Sequence, residues 1–173
     1  GGCEEPIDDV RSVCNFSTGK TSSLIADCLV KAGHNVICLS GYRAIKSKNC
    51  IVHTFRTFED LKLKLEQILS QNEFDAVIHA AAVSDYSPDF VTIDGKNYPA
   101  GSINKIPSGK TFSVTMKQNP KLIESVKRLS KKNCILIGFK LTDRFSDGEK
   151  FDAVRKVFYG KNQEINADSP DFV

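Results

Sequence analysis

Short apolar runs alternate with helix-period segments along nearly the whole chain, and this limits the folds open to it more than any other feature. From Lys20 the apolar positions Leu24, Ile25, Cys28, Leu29 and Ala32 recur at steps of three and four until Gly33, the spacing of an amphipathic helix with a glycine stop. Asn35-Val36-Ile37-Cys38-Leu39-Ser40 and Ile51-Val52-His53-Thr54-Phe55 read as short strands. Thr57 can cap a helix carrying Leu61, Leu65, Ile68 and Leu69 on one face, with Asp60 beside the positive end of the dipole. Residues 76–82 form a strand apolar on both faces, as a central parallel strand is. Residues 111–116 alternate and read as a fourth strand, and Pro120 suits the first turn of a helix burying Leu122, Ile123, Val126 and Leu129. A fifth strand over 134–139, a helix over 150–158 and a strand opening at 171–173 complete the pattern. It predicts an α/β fold: three-layer, a mostly parallel sheet with helices on both faces, Rossmann-like.

With 173 residues and 40% hydrophobic content the chain can bury one good-sized core, so a single domain over 1–173 is expected. No run approaches the roughly 18 apolar residues of a membrane span, and no basic leader precedes an apolar stretch. The net charge of +3 is spread among acids, which predicts no nucleic-acid stripe. Six cysteines without a C-x-x-C pair read as reduced thiols in a cytoplasmic protein. His34, His53 and His79 are not spaced as zinc ligands. Gly1-Gly2 resembles a turn leaving a strand, and Val173 stops within one, so further sequence is expected at both ends. Residues 84–109 lack helical period and hold Pro88, Gly95, Pro99, Gly101, Pro107 and Gly109. They predict a long loop or a flap that closes on substrates.

Asn15-Phe16-Ser17-Thr18-Gly19-Lys20 looks like a phosphate-binding turn at a helix start. Gly19-Lys20-Thr21 fits the end of a P-loop, but Cys14 stands where the leading glycine belongs, and no G-x-G-x-x-G turn is present. In open α/β sheets ligands bind beyond the carboxyl ends of the strands. That rule gathers Asn15, Lys20, Asp85, Lys105 and Lys140 at one edge. Amide, cations and carboxylate suit a polyphosphate, with Asp85 holding Mg²⁺ directly or through water.

Gly1-Gly2-Cys3-Glu4-Glu5-Pro6-Ile7-Asp8-Asp9-Val10-Arg11 leads into the 15–20 turn, and His79-Ala80-Ala81-Ala82-Val83-Ser84-Asp85-Tyr86 follows. Lys105-Ile106, Asn119-Pro120-Lys121-Leu122 and Gly138-Phe139-Lys140 come next. In this order the segments resemble the phosphopantothenate–cysteine ligase (phosphopantothenoylcysteine synthetase) family. The resemblance implies that CTP or ATP, with CTP favoured, and Mg²⁺ activate the carboxylate of 4'-phosphopantothenate as an acyl nucleotide with loss of pyrophosphate. The amine of L-cysteine then attacks, a step of coenzyme A biosynthesis. Asn15 is implied to hold the acyl nucleotide and Lys105 to act with it. Nucleotide contacts are implied at Ser17, Gly19, Lys20, His79, Ala80, Ala81, Asp85, Lys105, Asn119, Pro120, Lys121 and Leu122, with Phe139 recognising the base. Lys156 and Lys161 resemble late basic positions near the triphosphate, though the spacing around Gly160 departs from the family. Cys3 replaces a usual threonine, and a homodimer with the site near its interface is expected.

Two other readings compete. Val77-Ile78-His79-Ala80-Ala81 resembles a strand of NAD(P)-dependent short-chain dehydrogenases or epimerases, and Tyr42-Arg43-Ala44-Ile45-Lys46 spells Y-x-x-x-K. That tyrosine, however, precedes the strand it should follow. A non-catalytic nucleotide-binding subunit is the third reading, and the intact Asn15, Asp85 and Lys105 speak against it. Locally, Ser17 or Thr18 can be a plain helix cap, His79 a buried imidazole without catalytic duty, and Glu4 and Glu5 acids that position the turn.

Overall fold

The computed structural model describes residues 1–142, 146–159 and 168–173. In chain order the elements are β1 (Glu4–Pro6), β2 (Ser12–Cys14), α1 (Lys20–Lys31), β3 (Ile37–Gly41), β4 (Ile51–Phe55), α2 (Phe58–Gln71), β5 (Ala76–His79), β6 (Tyr86–Ile93), β7 (Lys96–Pro99), β8 (Phe112–Gln118), α3 (Val126–Leu129), β9 (Ile135–Gly138) and α4 (Asp147–Tyr159). A 3-10 turn, Leu122–Ser125, runs into α3. The chain forms two compact units: Gly1–Lys64 with Ala81–Pro120, and Leu65–Ala80 with Lys121–Val173.

In the first unit β3 and β4 pair in parallel, Ile37 opposite Ile51 through Gly41 opposite Phe55. The 42–50 connection is shorter than the dozen or more residues usual for a parallel crossover, and α1 ties it down. Ser47 Oγ and Asn49 Nδ2 donate to Asp27 Oδ1 at 2.6 and 3.0 Å. These bonds, Ser47 first, hold the Asp27 carboxyl below its ordinary range. At the start of α2 the expected cap is present, with Asp60 N–H donating to Thr57 Oγ1 at 3.1 Å. Phe58, Leu61, Leu65 and Leu69 are buried along that helix, the three- and four-residue stripe read from the sequence.

The 84–109 segment is not the loop its composition suggests. Its first half is a hairpin of β6 and β7, extended by β8 into an antiparallel sheet of order β7-β6-β8. Asp94 and Gly95 turn it with φ of 49° and 78°, the left-handed pair that a two-residue hairpin turn requires. The strand expected at 111–116 exists as β8, but it runs antiparallel to β6 and has no parallel neighbour among the described residues. The parallel pairing of the α/β class lies in β3–β4 and, in the second unit, in β5–β9.

In that second unit Ala76 pairs with Ile135 and His79 with Gly138. Phe172 adds a parallel bridge to Ile137, where a strand was expected to open. Leu122, Val126, Cys134, Leu136 and Ala153 are among its buried side chains. All six cysteines are free thiols, Cys3 and Cys134 buried. Among the described residues no helix is long and apolar enough to cross a membrane.

Candidate active-site cleft

The opening glycine motif and the end of the 76–82 run meet through backbone alone. Gly2 forms a parallel bridge with Ala82; Ala82 N–H donates to Gly1 O at 3.0 Å and Cys3 N–H to Ala82 O at 3.4 Å. Approach this close tolerates no side chain. A Cβ on Gly2 would lie 2.3 Å from Asn15 O, so the glycine sets where Asn15 sits. Asn15 in turn donates its N–H to Cys3 O at 3.3 Å and Nδ2 to Val83 O at 3.5 Å. Cys3 is fully buried, and burial pushes its thiol up, which makes it core packing and not a nucleophile.

Asn15 opens onto a cleft of about 660 Å³ lined also by Gly2, Glu4, Ser17, Thr18 and Arg43. Gly19 is the N-cap residue of α1, which carries no side-chain cap and no acid in its first turn. Thr18 Oγ1 accepts only a long 3.3 Å bond from Lys20 N–H, so the plain-cap reading of Ser17 and Thr18 is weak. Lys20 is exposed at this positive helix end.

Glu5 and Asp8 of the motif each hold a distant backbone N–H, and their roles differ. Glu5 Oε1 accepts from Phe58 N–H at 2.6 Å, satisfying an orphan donor at the start of α2. Burial pushes the Glu5 carboxyl up, offset in part by that N–H and by Ser87. Asp8 Oδ2 accepts from Ile106 N–H at 3.0 Å, and its Oδ1 from Val10 and Arg11 N–H at 3.0 and 2.7 Å. The Arg11 guanidinium pairs with it as well. Burial raises the Asp8 carboxyl, but the donors from Ile106, Val10 and Arg11 outweigh this and bring it down to about 2. Asp9 N–H adds bonds of 3.2 and 3.1 Å to the carbonyls of Ile103 and Asn104. The Pro6–Arg11 turn thereby clamps the backbone on both sides of Lys105, whose side chain is exposed. The sequence reading missed this clamp. Its signal was present: an aspartate bonding the N–H two residues on is a common turn former.

Asp85 is exposed at the strand end, and its carbonyl accepts from Asn119 N–H at 2.8 Å. The buried Asn119 side chain donates to Ser84 O at 3.0 Å and Ser87 Oγ at 2.8 Å. It therefore shapes the Ser84–Asp85 turn with both of its donor hydrogens. Ala81 belongs to this unit and is half-buried, and Pro120 is exposed. The second unit holds the remaining expected residues. His79 and Ala80 stand at the end of β5, where burial holds the His79 imidazole below its ordinary value and hence neutral. Lys121 is exposed, while Leu122 is a core side chain, 5% exposed. Phe139 follows β9 with half of its surface exposed. Lys156 is exposed on α4, and Lys161 lies outside the described residues. No group of three metal-ligating side chains occurs among the described residues.

Comparison with known proteins places this chain in a family. The DNA/pantothenate metabolism flavoprotein C-terminal domain matches residues 1–157. A coenzyme A biosynthesis bifunctional protein CoaBC from Thermococcus kodakarensis is 31% identical over 158 residues, 90% of this chain and 36% of that protein. The chain spans about a third of the length of the curated relatives it matches. The crystal structure of the DNA/pantothenate metabolism flavoprotein from Streptococcus pneumoniae superposes with a TM-score of 0.79 at 30% identity, covering 95% of this chain and 76% of that one. A Cab2 variant in complex with phosphopantothenate-cysteine shares the fold, with a TM-score of 0.61 at 17% identity over 83% of this chain and 63% of its own. The fold is thus the Rossmann-like α/β fold of these neighbours, and the chain belongs to the DNA/pantothenate metabolism flavoprotein C-terminal domain family.

Proposed function

We propose that this chain ligates 4'-phosphopantothenate to L-cysteine through an acyl nucleotide, releasing pyrophosphate, in coenzyme A biosynthesis in the cytosol. One observation carries the reading: Asn15 lines a cleft together with Ser17, Thr18 and Arg43 and is held there by the close approach of Gly2 and by Val83 O. Relatives named as coenzyme A biosynthesis proteins and a neighbour solved with phosphopantothenate-cysteine support it.

The chemistry assigns duties to groups already described. Asn15 Nδ2 is a neutral donor beside the cleft, suited to hold the acyl carbonyl as charge develops on it; one such donor contributes about 3–4 kcal/mol at a transition state. The uncapped start of α1, with Ser17, Thr18 and Lys20, suits a phosphate group. Lys105 supplies charge from a backbone that Asp8 holds still. Phe139 offers an exposed ring for a base. A Mg²⁺ ion brought by CTP or ATP would screen the phosphates; a single carboxylate such as Asp85 fits it, since Mg²⁺ keeps most of its waters. We place the working enzyme as a homodimer with CTP as the favoured nucleotide.

The test is pyrophosphate release with phosphopantothenate and either CTP or ATP, with and without cysteine. Turnover requiring all three substrates is expected. Absence of turnover with both nucleotides, together with tight NADH binding, would overturn the reading in favour of a dehydrogenase.

A further inference from the structure

Glu4 is a carboxylate with an unusual burden. The residue is 6% exposed, and its Oε2 is the one buried side-chain oxygen without a hydrogen-bond partner among the described residues. Two arginines converge on it. Arg43 Nε lies 2.8 Å from Oε1 and Arg56 Nε 3.6 Å from Oε2, both as ion pairs. Two cations thus share one buried anion, and the trio carries a net positive charge. Arg43 lines the cleft with Asn15, Ser17 and Thr18, yet its side chain remains 76% exposed.

A guanidinium has two useful edges. When a carboxylate takes the Nε side, the terminal nitrogens still present a planar fork that matches a phosphate group. The loop bearing Arg43 is tied to the turn before α1, Ile45 N–H donating to Thr18 O at 2.9 Å. Glu4 itself is anchored by its N–H to Arg56 O at 2.7 Å. The Arg43 loop is therefore tied to the turn before α1, and the guanidinium is paired with a buried, backbone-anchored carboxylate.

We propose that Arg43, aimed by Glu4 and backed by the charge of Arg56, binds a phosphate group of a substrate in this cleft. Arg43 is the binding residue and Glu4 a positioning residue. The proposal rests on the ligase reading for the identity of the substrates, either the nucleotide or the phosphorylated acid, but not for the existence of the anion site.

The experiment uses Arg43→Ala, whose exposed side chain can be removed without harm to the core, with Arg43→Lys, Glu4→Gln and the Glu4→Gln/Arg43→Ala pair. Loss of a charge-assisted forked contact raises the KM of its ligand by roughly tenfold to a hundredfold. A rise confined to the nucleotide assigns the grip to its phosphates, and one confined to phosphopantothenate assigns it to the phosphomonoester. Arg43→Lys should recover only part of the loss, because an ammonium keeps the charge without the fork. Glu4→Gln should raise the same KM less than Arg43→Ala does, and the double variant should match Arg43→Ala alone, since Glu4 acts through Arg43. Unchanged KM values for both substrates in Arg43→Ala would overturn the proposal. If the wild-type protein shows no turnover, titration with inorganic pyrophosphate by calorimetry decides the site independently: binding weakened in Arg43→Ala supports it, and equal or absent binding in both proteins refutes it.

Discussion

Replacing Gly2 by alanine tests how the fold positions Asn15. The new Cβ would stand 2.3 Å from Asn15 O, whereas real Cβ atoms essentially never come closer than 3.0 Å. The obstacle is backbone, not a flexible side-chain end, so the Asn15 segment or the Gly2–Ala82 bridge must give way. Forcing a methyl group into close-packed structure costs about 1–3 kcal/mol, which for a chain of this size corresponds to a Tm loss of roughly 2–12 °C. Catalysis should suffer more than stability, because misplacement by about 1 Å costs on the order of a hundredfold in rate. Thermal melts and pyrophosphate release on one preparation measure both. Gly148→Ala is the control: nothing lies within 4 Å of its Cβ, and stability should hold or rise by up to about 1 kcal/mol. A Gly2→Ala protein with wild-type Tm and wild-type turnover would refute the claim that backbone contact at Gly2 places Asn15.

Four further outcomes are expected. Asn15→Asp should release pyrophosphate once and accumulate the acyl nucleotide, visible by rapid quench; normal turnover would remove Asn15 from the mechanism. Lys105→Gln should slow the activation step by roughly tenfold or more, and an unchanged single-turnover rate would return Lys105 to the role of a solvated charge. Asp8, with a carboxyl at about 2 in the fold against 3.8 ordinarily, binds protons more readily when unfolded; its stabilising contribution is complete above about pH 4 and fades as pH falls toward 2. Urea midpoints for Asp8→Asn should accordingly lose their wild-type slope across that window, and a retained slope would exclude Asp8 as its source. Glu5 has the opposite sign: its raised carboxyl favours the protonated fold, so stability from this group grows as pH falls toward 4.5. Glu5→Gln, which keeps an acceptor for Phe58 N–H, should flatten that rise, and an identical pH profile would show that Glu5 does not titrate on folding.

Much of the α/β framework was legible because periodicity reports burial directly. The α2 stripe of Leu61, Leu65 and Leu69, the β4 span and the glycine stop after α1 follow from side-chain spacing and cap chemistry over a few residues. The 84–109 hairpin is masked in the sequence by its proline and glycine content, which ordinarily marks irregular chain, although Asp94-Gly95 is a strong local hairpin signal. Its pairing with β8 joins segments distant in sequence, and no local pattern states which strand faces which.

The same division runs through the site. The motif residues Asn15, Asp85 and Lys105 could be named from sequence, because the ordered segments that carry them resemble the phosphopantothenate–cysteine ligase family. Sequence also pointed to the glycine-rich opening and the apolar run before Asp85 as neighbours of these residues. Only the tertiary structure showed why the opening must be glycine, that Glu5 caps a helix, that Asp8 clamps the Lys105 backbone, and that Glu4 gathers Arg43 and Arg56. These facts depend on distances between residues far apart in the chain. Such distances are set by the packing of whole elements, which the spacing of neighbours along a sequence does not encode.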